Sequence, residues 1–330
     1  MGDARIDNVL KRLEANVKDG NYYEAQQMIK TLYFRHKNRG KYDQVYELLF
    51  GGASVMLQHG HVNEGADLSN LLIQTYSETH HPVDDDAVDR LSQLFSLFDE
   101  KQKSVSGTEV KEDEEVRKAK DSFAVTALKW TKKKYPKGDP RLYTLFAKDA
   151  QRWKRYEKSQ KYFLHSDSPR DFANMLSEWS SNGYSSEKDL YIARAVLQYL
   201  AEGNLKDANV VFTSFIETCP TTPLINFIRF LLCTLEREAA PLFQKLRKVY
   251  QPSLDRDDTF DEYLDQIGFN FYKIRPPRAA PNNMFSGLLQ SLMGNGPPMG
   301  GMNMASPSLL SGSPMPSEGN EEDLPTDDVD

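Results

Sequence analysis

The chain repeats one short phrase at intervals of 20 residues: Gly20-Asn21-Tyr22-Tyr23-Glu24-Ala25, Gly40-Lys41-Tyr42-Asp43-Gln44-Val45 and Gly60-His61-Val62-Asn63-Glu64-Gly65. A fourth copy, Gly203-Asn204-Leu205-Lys206-Asp207-Ala208, lies far downstream. Each copy begins with glycine, which can end a helix in the left-handed conformation that other residues enter only at a cost. A small or β-branched residue stands five positions later, where it lets the next helix pack closely on its predecessor.

The interval of the repeat indicates the architecture. Twenty residues accommodate one helix and its turn, so forty make a helical hairpin, which is the usual size of a helical repeat unit. We therefore predict an all-α fold, a right-handed α-solenoid of tetratricopeptide-like hairpins followed by a flexible C-terminal tail. Solenoids usually bind other proteins.

Composition divides the chain into four parts. Residues 1–100 and 119–275 carry apolar positions at helical spacing and are predicted to form two helical-repeat halves. Residues 101–118 are charged and contain Ser and Gly, so a loop is expected there. Residues 276–330 are rich in Pro, Gly, Met, Asn and Ser, a composition that cannot bury enough apolar surface to fold alone.

The predicted tail contains one amphipathic segment, residues 285–293. Its apolar residues fall on one helical face: Phe285, Leu288, Leu289, Leu292 and Met293. Such a segment is either a docking motif for a partner or a last helix that folds back on the solenoid.

Charge and hydropathy exclude several classes of protein. The formal net charge is −7, and the tail contains seven acidic residues against one basic residue, so the rest of the chain is almost neutral. This balance argues against a general nucleic-acid binder, which needs a basic face. The longest apolar stretch is too short to cross a bilayer. We expect a cytosolic protein that does not insert into membranes, and two buried free thiols, Cys219 and Cys233.

A search for catalytic chemistry finds no constellation in the sequence. The histidines lack the spacing of a zinc helix, and there is no phosphate-binding glycine loop or nucleophile elbow. We predict that the protein is not an enzyme and uses no metal or cofactor.

Two basic clusters remain. The first comprises Arg5, Lys11, Arg12 and Lys18 on the opening helix, and Arg35, His36, Lys37, Arg39 and Lys41 beyond the first hairpin. It is either a solvated helical face or an electrostatic contact for an acidic partner. The second comprises Lys129, Lys132, Lys133, Lys134 and Lys137, set around Trp130. Cations are favoured at a helix C-terminus, although lysines interleaved with aromatic residues can also bind RNA.

Several longer phrases resemble one family. They include Gly20-Asn-Tyr-Tyr-Glu-Ala-Gln-Gln-Met28, Gly65-Ala-Asp-Leu68, Ala127-Leu-Lys-Trp130, Asp139-Pro-Arg-Leu142, Tyr162-Phe-Leu-His-Ser166, Phe172-Ala-Asn-Met-Leu176, Tyr250-Gln-Pro-Ser-Leu254 and Ser286-Gly-Leu-Leu-Gln-Ser-Leu-Met-Gly294. Their order and spacing are similar to those of the Golgi-to-ER-traffic protein four family.

The resemblance implies a function. Members are helical solenoids of the cytosolic pathway that delivers tail-anchored membrane proteins to the endoplasmic reticulum. They bridge a targeting ATPase, bound by the N-terminal half, and an adaptor with a ubiquitin-like domain, bound by the C-terminal half. In animals the protein also joins a larger chaperone complex that holds clients.

By position, the resemblance implies two docking sets. The ATPase would contact Arg5, Lys11, Arg12, Lys18, Tyr22, Arg39 and Lys41. The adaptor would contact Phe215, Leu224, Phe227 and Phe230. Some members carry a longer, partly β-hairpin insertion where this chain has only Cys219-Pro-Thr-Thr-Pro223, so the adaptor would be gripped differently here. The alternatives to this function are a helical-repeat RNA-binding protein and a general protein-interaction scaffold.

Overall fold

The fold is built from antiparallel helical hairpins. The computed structural model describes residues 3–99, 112–216 and 221–275. Within those ranges the helices are α1 (Asp3–Lys18), α2 (Tyr22–Lys37), α3 (Tyr42–Gln58), α4 (Val62–Glu78), α5 (Asp85–Leu97), α6 (Glu114–Thr131), α7 (Pro140–Arg152), α8 (Tyr156–Phe163), α9 (Pro169–Ser181), α10 (Lys188–Ala201), α11 (Leu205–Ile216), α12 (Pro223–Glu236), α13 (Ala240–Val249), α14 (Gln251–Leu254) and α15 (Thr259–Tyr272). A 3₁₀ turn (Ser185–Glu187) precedes α10. The predicted all-α fold is confirmed.

The four repeated glycines end helices as predicted. Gly20, Gly40, Gly60 and Gly203 have φ values of 84°, 67°, 79° and 78°. After α1, the Asn21 N–H donates to the Asn16 carbonyl (2.9 Å) and the Gly20 N–H donates to the Val17 carbonyl (3.1 Å). The same pair of bonds closes the other three turns. It is the Schellman arrangement, which satisfies carbonyls that a helix end would otherwise leave unpaired.

The small residue five positions after each glycine lies at a close helix contact. Ala25, Val45 and Ala208 are completely buried. At the third copy, a Cβ added to Gly65 would come within 2.5 Å of the Leu57 side chain, so only glycine fits between α3 and α4. The repeat therefore specifies both the turn and the packing of the helix that follows.

Three helix ends before residue 240 adopt the same left-handed conformation without glycine, and a fourth, Lys273 after α15, does so with different hydrogen bonds. His80, Lys154 and Glu238 have φ values of 54°, 56° and 52°. After α12, the Ala239 N–H donates to the Thr234 carbonyl (3.1 Å), and the Glu238 N–H donates to the Leu235 carbonyl (3.2 Å). These three turns have the geometry of the glycine turns although no glycine marks them. For this reason the glycine-containing phrase is not recognisable at these turns.

Helix α6 begins earlier than the sequence indicated. The expected loop over residues 101–118 ends before Glu114, because the Asp113 carboxylate accepts a hydrogen bond from the Glu115 N–H (2.9 Å) and caps the helix. Residues 100–111 lie outside the described ranges, as do residues 276–330. Asp139 caps α7 by accepting from the Arg141 N–H (2.9 Å), whereas Ser168 makes no side-chain cap to α9.

The buried side chains form two apolar clusters that meet within α7. The first extends from Leu13 to Phe146, and the second extends from Ala147 to Ile267. The first core therefore continues past the charged segment through all of α6. The described residues between 3 and 275 pack as one compact unit.

A buried ion network ties α5, α6 and α7 together where the two cores approach each other. The Lys120 ammonium, only 1% exposed, lies 2.6 Å from one oxygen of Asp99 and 2.6 Å from one oxygen of Asp149. Arg152 pairs with Asp99 (3.0 Å) and Arg155 pairs with Asp149 (3.4 Å). Each buried carboxylate thus faces two cations, which offsets the cost of removing these charges from water.

The network covers an aromatic cluster and continues toward α8. Lys120 Nζ lies 5.1 Å from the ring centre of Phe95, whose ring in turn packs on Phe146 (4.7 Å). At the edge of the network, burial raises the pKa of Glu112, although the nearby Arg155 guanidinium (3.2 Å) acts in the opposite direction. Ionic and aromatic contacts therefore meet at one junction.

We expect opposite effects from two substitutions at left-handed turns. Gly203→Ala should lower the free energy of unfolding by about 1 kcal/mol, because the added Cβ meets no atom within 4 Å and only the backbone is penalised. Glu238→Gly should raise it by up to about 1 kcal/mol, since φ is already left-handed there. Urea unfolding followed by circular dichroism measures both, and effects of the same sign would contradict this account.

Removing the buried cation should be costly. Lys120→Met leaves Asp99 and Asp149 without their shared ammonium, and we expect a loss of about 3–5 kcal/mol in the free energy of unfolding. Adding Asp99→Asn and Asp149→Asn should restore much of the loss. The control is Lys118→Met, an exposed lysine paired with Glu114 (2.9 Å), which should change stability by less than about 1 kcal/mol. Equal effects of the two lysine substitutions would refute the network's role.

Candidate functional site

The predicted ATPase-docking residues lie on the first two hairpins and are exposed. Lys11, Arg12 and Lys18 lie on α1, Tyr22 begins α2, and Arg39 and Lys41 occupy the turn before α3. Arg5 falls within α1, but its side chain is outside the described part of the chain. Lys18 pairs with Glu14 (2.7 Å), whereas Lys11, Arg12, Arg39 and Lys41 have no ion-pair partner within residues 3–99, 112–216 and 221–275.

The set is divided between two ends of the hairpins. Because successive helices are antiparallel, Arg39 and Lys41 lie at the end where α1 begins, and Lys18 and Tyr22 lie at the end where it finishes. The 16 residues of α1 separate these ends by about 24 Å. We refer to them as the cationic end (residues 35–41) and the aromatic end (residues 18–23 and 61). The structure does not bring the seven predicted residues into one site.

The cationic end concentrates positive charge around one histidine. Burial is the main reason why the pKa of His36 is lowered, and the cationic side chains of Lys41, Arg39 and Arg35 lower it further. The three cations Arg35, Arg39 and Lys41 around this histidine leave a surface suited to a carboxylate-bearing partner. Such a surface speeds encounter with an acidic protein more than it adds to affinity.

The aromatic end presents flat, partly exposed rings. Tyr22 stacks on His61 with ring centres 4.2 Å apart, which joins the start of α2 to the start of α4. The next residue, Tyr23, is 64% exposed, and Phe34 is 58% exposed further along α2. The sequence reasoning missed Tyr23 and Phe34. Their signal was available, since neither lies on the face of α2 that carries Ala25 and Ile29. Exposed aromatic residues are frequent energetic centres of protein interfaces.

Three of the four predicted adaptor-docking residues are part of the core. Phe215, Leu224 and Phe227 are at most 2% exposed and belong to the second apolar cluster. A partner could reach them only if α11 and α12 separated, so these three side chains are not part of the protein surface. Helix α12 is apolar over most of its surface, and hydropathy alone did not distinguish its buried positions from its exposed ones.

Phe230 is the predicted residue that reaches the surface, with 48% of its area exposed. Arg229 and Cys233 are exposed beside it on α12, so the expectation of a buried Cys233 thiol is wrong. Cys219 lies outside the described ranges. We call Arg229, Phe230 and Cys233 the α12 surface. On the following helix, Leu242 is 46% exposed, and no sequence pattern distinguishes it from the buried leucines.

A buried ion pair fixes the start of α12. Asp189, at the first turn of α10, accepts two hydrogen bonds from Arg256 (2.8 and 3.0 Å) and one from the Thr222 hydroxyl (2.8 Å). Thr222 also caps α12 by accepting from the Ile225 N–H (3.3 Å). One carboxylate thus connects α10, α12 and the turn before α15. The α12 surface is positioned by these contacts.

The second basic cluster serves partly as a set of structural anchors. Lys133 donates to the Ser77 carbonyl (2.6 Å), Lys134 donates to the Val83 carbonyl (2.8 Å), and Lys137 pairs with Glu202 (2.5 Å). Lys129 and Lys132 are exposed without such contacts within the ranges that the structure describes. The predicted tail motif, Phe285, Leu288, Leu289, Leu292 and Met293, lies outside the described residues.

Membrane-spanning helices and metal-binding clusters are both absent from the described ranges. No helix there is long and apolar enough to cross a membrane. No group of three or more His, Cys, Asp or Glu side chains in the same ranges is arranged to hold a metal ion.

Core and surface phenylalanines of α12 should respond differently to truncation. Phe227→Ala should lower the free energy of unfolding by about 3–5 kcal/mol, because the ring is fully enclosed. Phe230→Ala should cost less than about 1 kcal/mol, since half of its ring is already in water. Urea unfolding of the two variants measures the difference. A cost at Phe230 as large as that at Phe227 would contradict its assignment to the surface.

Comparison with known proteins identifies relatives over most of the chain. Residues 39–293 match the family described as Golgi to ER traffic protein 4. A Golgi to ER traffic protein 4 homolog of Oryzias latipes is 36% identical over 303 residues, covering 88% of this chain and 89% of the relative. The Homo sapiens homolog is 36% identical over 301 residues, with 88% of each chain covered.

A solved structure shares the fold. The crystal structure of C. therm. Get4 aligns with a TM-score of 0.74 at 24% identity, covering 91% of this chain and 100% of that chain. The structural similarity shows that the fold is shared, and the sequence matches show the family to which the chain belongs. The chain belongs to the Golgi to ER traffic protein 4 family.

Proposed function

We propose that this protein is a non-enzymatic cytosolic adaptor that bridges a client-holding chaperone complex to a targeting ATPase. The cargo is tail-anchored membrane proteins bound for the endoplasmic reticulum. The observation that carries the proposal is the presence of two chemically different exposed surfaces on one compact unit. The cationic end lies in the first two hairpins, and the α12 surface lies about 190 residues later in the chain.

The two surfaces suit different partners. The cationic end, with Arg39 and Lys41 free of ion pairs in the described structure, is assigned to the targeting ATPase, which would present carboxylates. The α12 surface, centred on Phe230, is assigned to the adaptor with a ubiquitin-like domain, for which a half-exposed ring is a suitable anchor. Membership of a family described by Golgi to ER traffic supports a role in transport.

Bridging gives a physical advantage to the hydrophobic client. When one scaffold binds donor and acceptor together, each is present near the other at a high effective concentration. Transfer of the client then becomes an intramolecular step that competes with aggregation in water. Neither the binding of the two partners nor the transfer of the client needs a catalytic residue on the scaffold.

Two pairs of variants test whether the partners bind separately. Arg39→Glu with Lys41→Glu should weaken ATPase binding at least tenfold through charge repulsion, and should leave adaptor binding unchanged. Phe230→Asp should weaken adaptor binding and leave ATPase binding unchanged. Isothermal titration calorimetry of the full chain with each purified partner measures both.

Controls match each change in charge or exposure. Lys206→Glu with Lys245→Glu reverses two exposed lysines elsewhere, and Leu242→Asp alters another half-exposed apolar residue. Neither control should affect binding. If the Arg39/Lys41 variant binds the ATPase as the unaltered protein does, the cationic end is not its docking site. If neither partner binds the unaltered protein, the proposed function is wrong.

A further inference from the structure

Helices α6 and α8 run in the same direction and are connected by long side chains. Arg155, just before α8, contacts Glu112, just before α6 (3.2 Å). After α8, the His165 ring packs on Tyr143, in the first turn of the helix that follows α6 (5.2 Å). Helix α8 has 8 residues and therefore runs alongside only part of the 18-residue α6. Lys158 of α8 pairs with Asp121 of α6 (2.6 Å), so we treat the exposed residues beside this ion pair as one surface.

This surface carries a series of unneutralised lysines. On α6, Val125, Lys129 and Lys132 follow one helical stripe, and Val125 is 65% exposed. On the α8 side, Lys154 and Lys161 are exposed seven residues apart. None of these four lysines has an ion-pair partner among the residues that the structure describes. We call the five residues the lysine patch.

The acidic side chains nearby do not cancel this charge. Asp121, between the two helices, is already paired with Arg155 (3.1 Å) and Lys158 (2.6 Å). Glu157 is the remaining acid on the exposed side of α8, and it has no ion pair within the described ranges. Within the described ranges, four lysines without ion pairs thus lie near two carboxylates without ion pairs, Glu157 and Glu178, the second of which accepts from the Tyr156 hydroxyl (2.8 Å).

A cleft adjoins the patch at the start of α8. It has a volume of about 350 Å³ and is lined by Lys154, Arg155, Tyr156, Glu157, Lys158 and Trp179, so three lysine or arginine side chains outnumber the one carboxylate in its lining. The rings of Tyr156 and Trp179 stack at 5.8 Å, which gives the cleft an apolar wall. A ligand with an apolar side chain next to carboxylates could place the apolar group against these rings and the carboxylates beside the lysines.

We propose that the lysine patch binds an acidic segment of another protein, one in which carboxylates alternate with an occasional apolar residue. This interaction is separate from the cationic end and the α12 surface, and it does not depend on the function proposed above. Charge complementarity makes such binding fast to form and sensitive to salt.

The geometry favours a protein segment over RNA or a membrane. Trp130 is only 2% exposed, so it offers no platform on which bases could stack. Arg155, which could bind a phosphate with two donors, is engaged by Glu112, Asp121 and Asp149. Val125 is the one large apolar side chain that protrudes from the described patch, which is little for insertion into lipid.

The test uses a fluorescently labelled peptide of 16 residues in which every fourth residue is Leu and the others are Glu or Asp. Its fluorescence anisotropy is measured as the full chain is added. The peptide should bind at low salt, and binding should weaken on raising the ionic strength from about 0.05 to about 0.3 M. Replacing Lys129, Lys132 and Lys161 with Gln should weaken it about tenfold, as expected for three exposed charge contacts.

The matched control replaces three exposed lysines without ion pairs elsewhere in the described structure, Lys206, Lys245 and Lys248, with Gln. It should retain the affinity of the unaltered protein. Equal weakening by the control variant would mean that only net charge matters, and would overturn the proposal. So would absence of peptide binding at low salt, or tighter binding of polyuridylate or phosphatidylserine vesicles through the same three lysines.

Discussion

The ammonium group of Lys120 is the constraint on which the middle of the molecule depends. A lysine that is 1% exposed remains charged at acceptable cost only if carboxylates replace its water, and Asp99 and Asp149 do so at 2.6 Å each. These two residues come from the end of α5 and from α7. Satisfying one charge therefore brings three helices together and encloses the aromatic cluster around Phe95. This is why the first core continues across the charged segment of the sequence and joins the second within α7.

The turns of the fold could be predicted wherever glycine marks them. Gly20, Gly40, Gly60 and Gly203 have the conformation and the hydrogen bonds that their spacing indicated. The turns at His80, Lys154 and Glu238 could not be predicted, because packing of the flanking helices imposes the same left-handed geometry on residues with no intrinsic preference for it. The Lys120 network was also missed. Its members are ordinary charged residues 21 and 29 positions apart, and only tertiary contact distinguishes them from solvated ones.

The candidate surfaces were predicted less evenly than the fold. Lysine and arginine are almost never fully buried unless they are paired, so Lys11, Arg12, Arg39 and Lys41 were found on the surface. Which of them share a site depends on helix direction, and antiparallel packing divides the set between two ends. In α12, which is almost wholly apolar, the sequence does not indicate which phenylalanines are exposed. Phe227 and Phe230 are three residues apart in α12, yet one is enclosed and the other is half in solvent. The position of neighbouring helices decides between them.

The described part of the chain is one compact unit whose two cores are joined at the Lys120 junction. Native-state hydrogen exchange measured against urea tests that claim most directly, with α3 reporting on the first core and α10 on the second. If the cores are joined, the slowest amides of both helices should open with the same free energy and the same dependence on urea. Two separate opening free energies, with α3 and α10 each exchanging through its own partial unfolding, would contradict it.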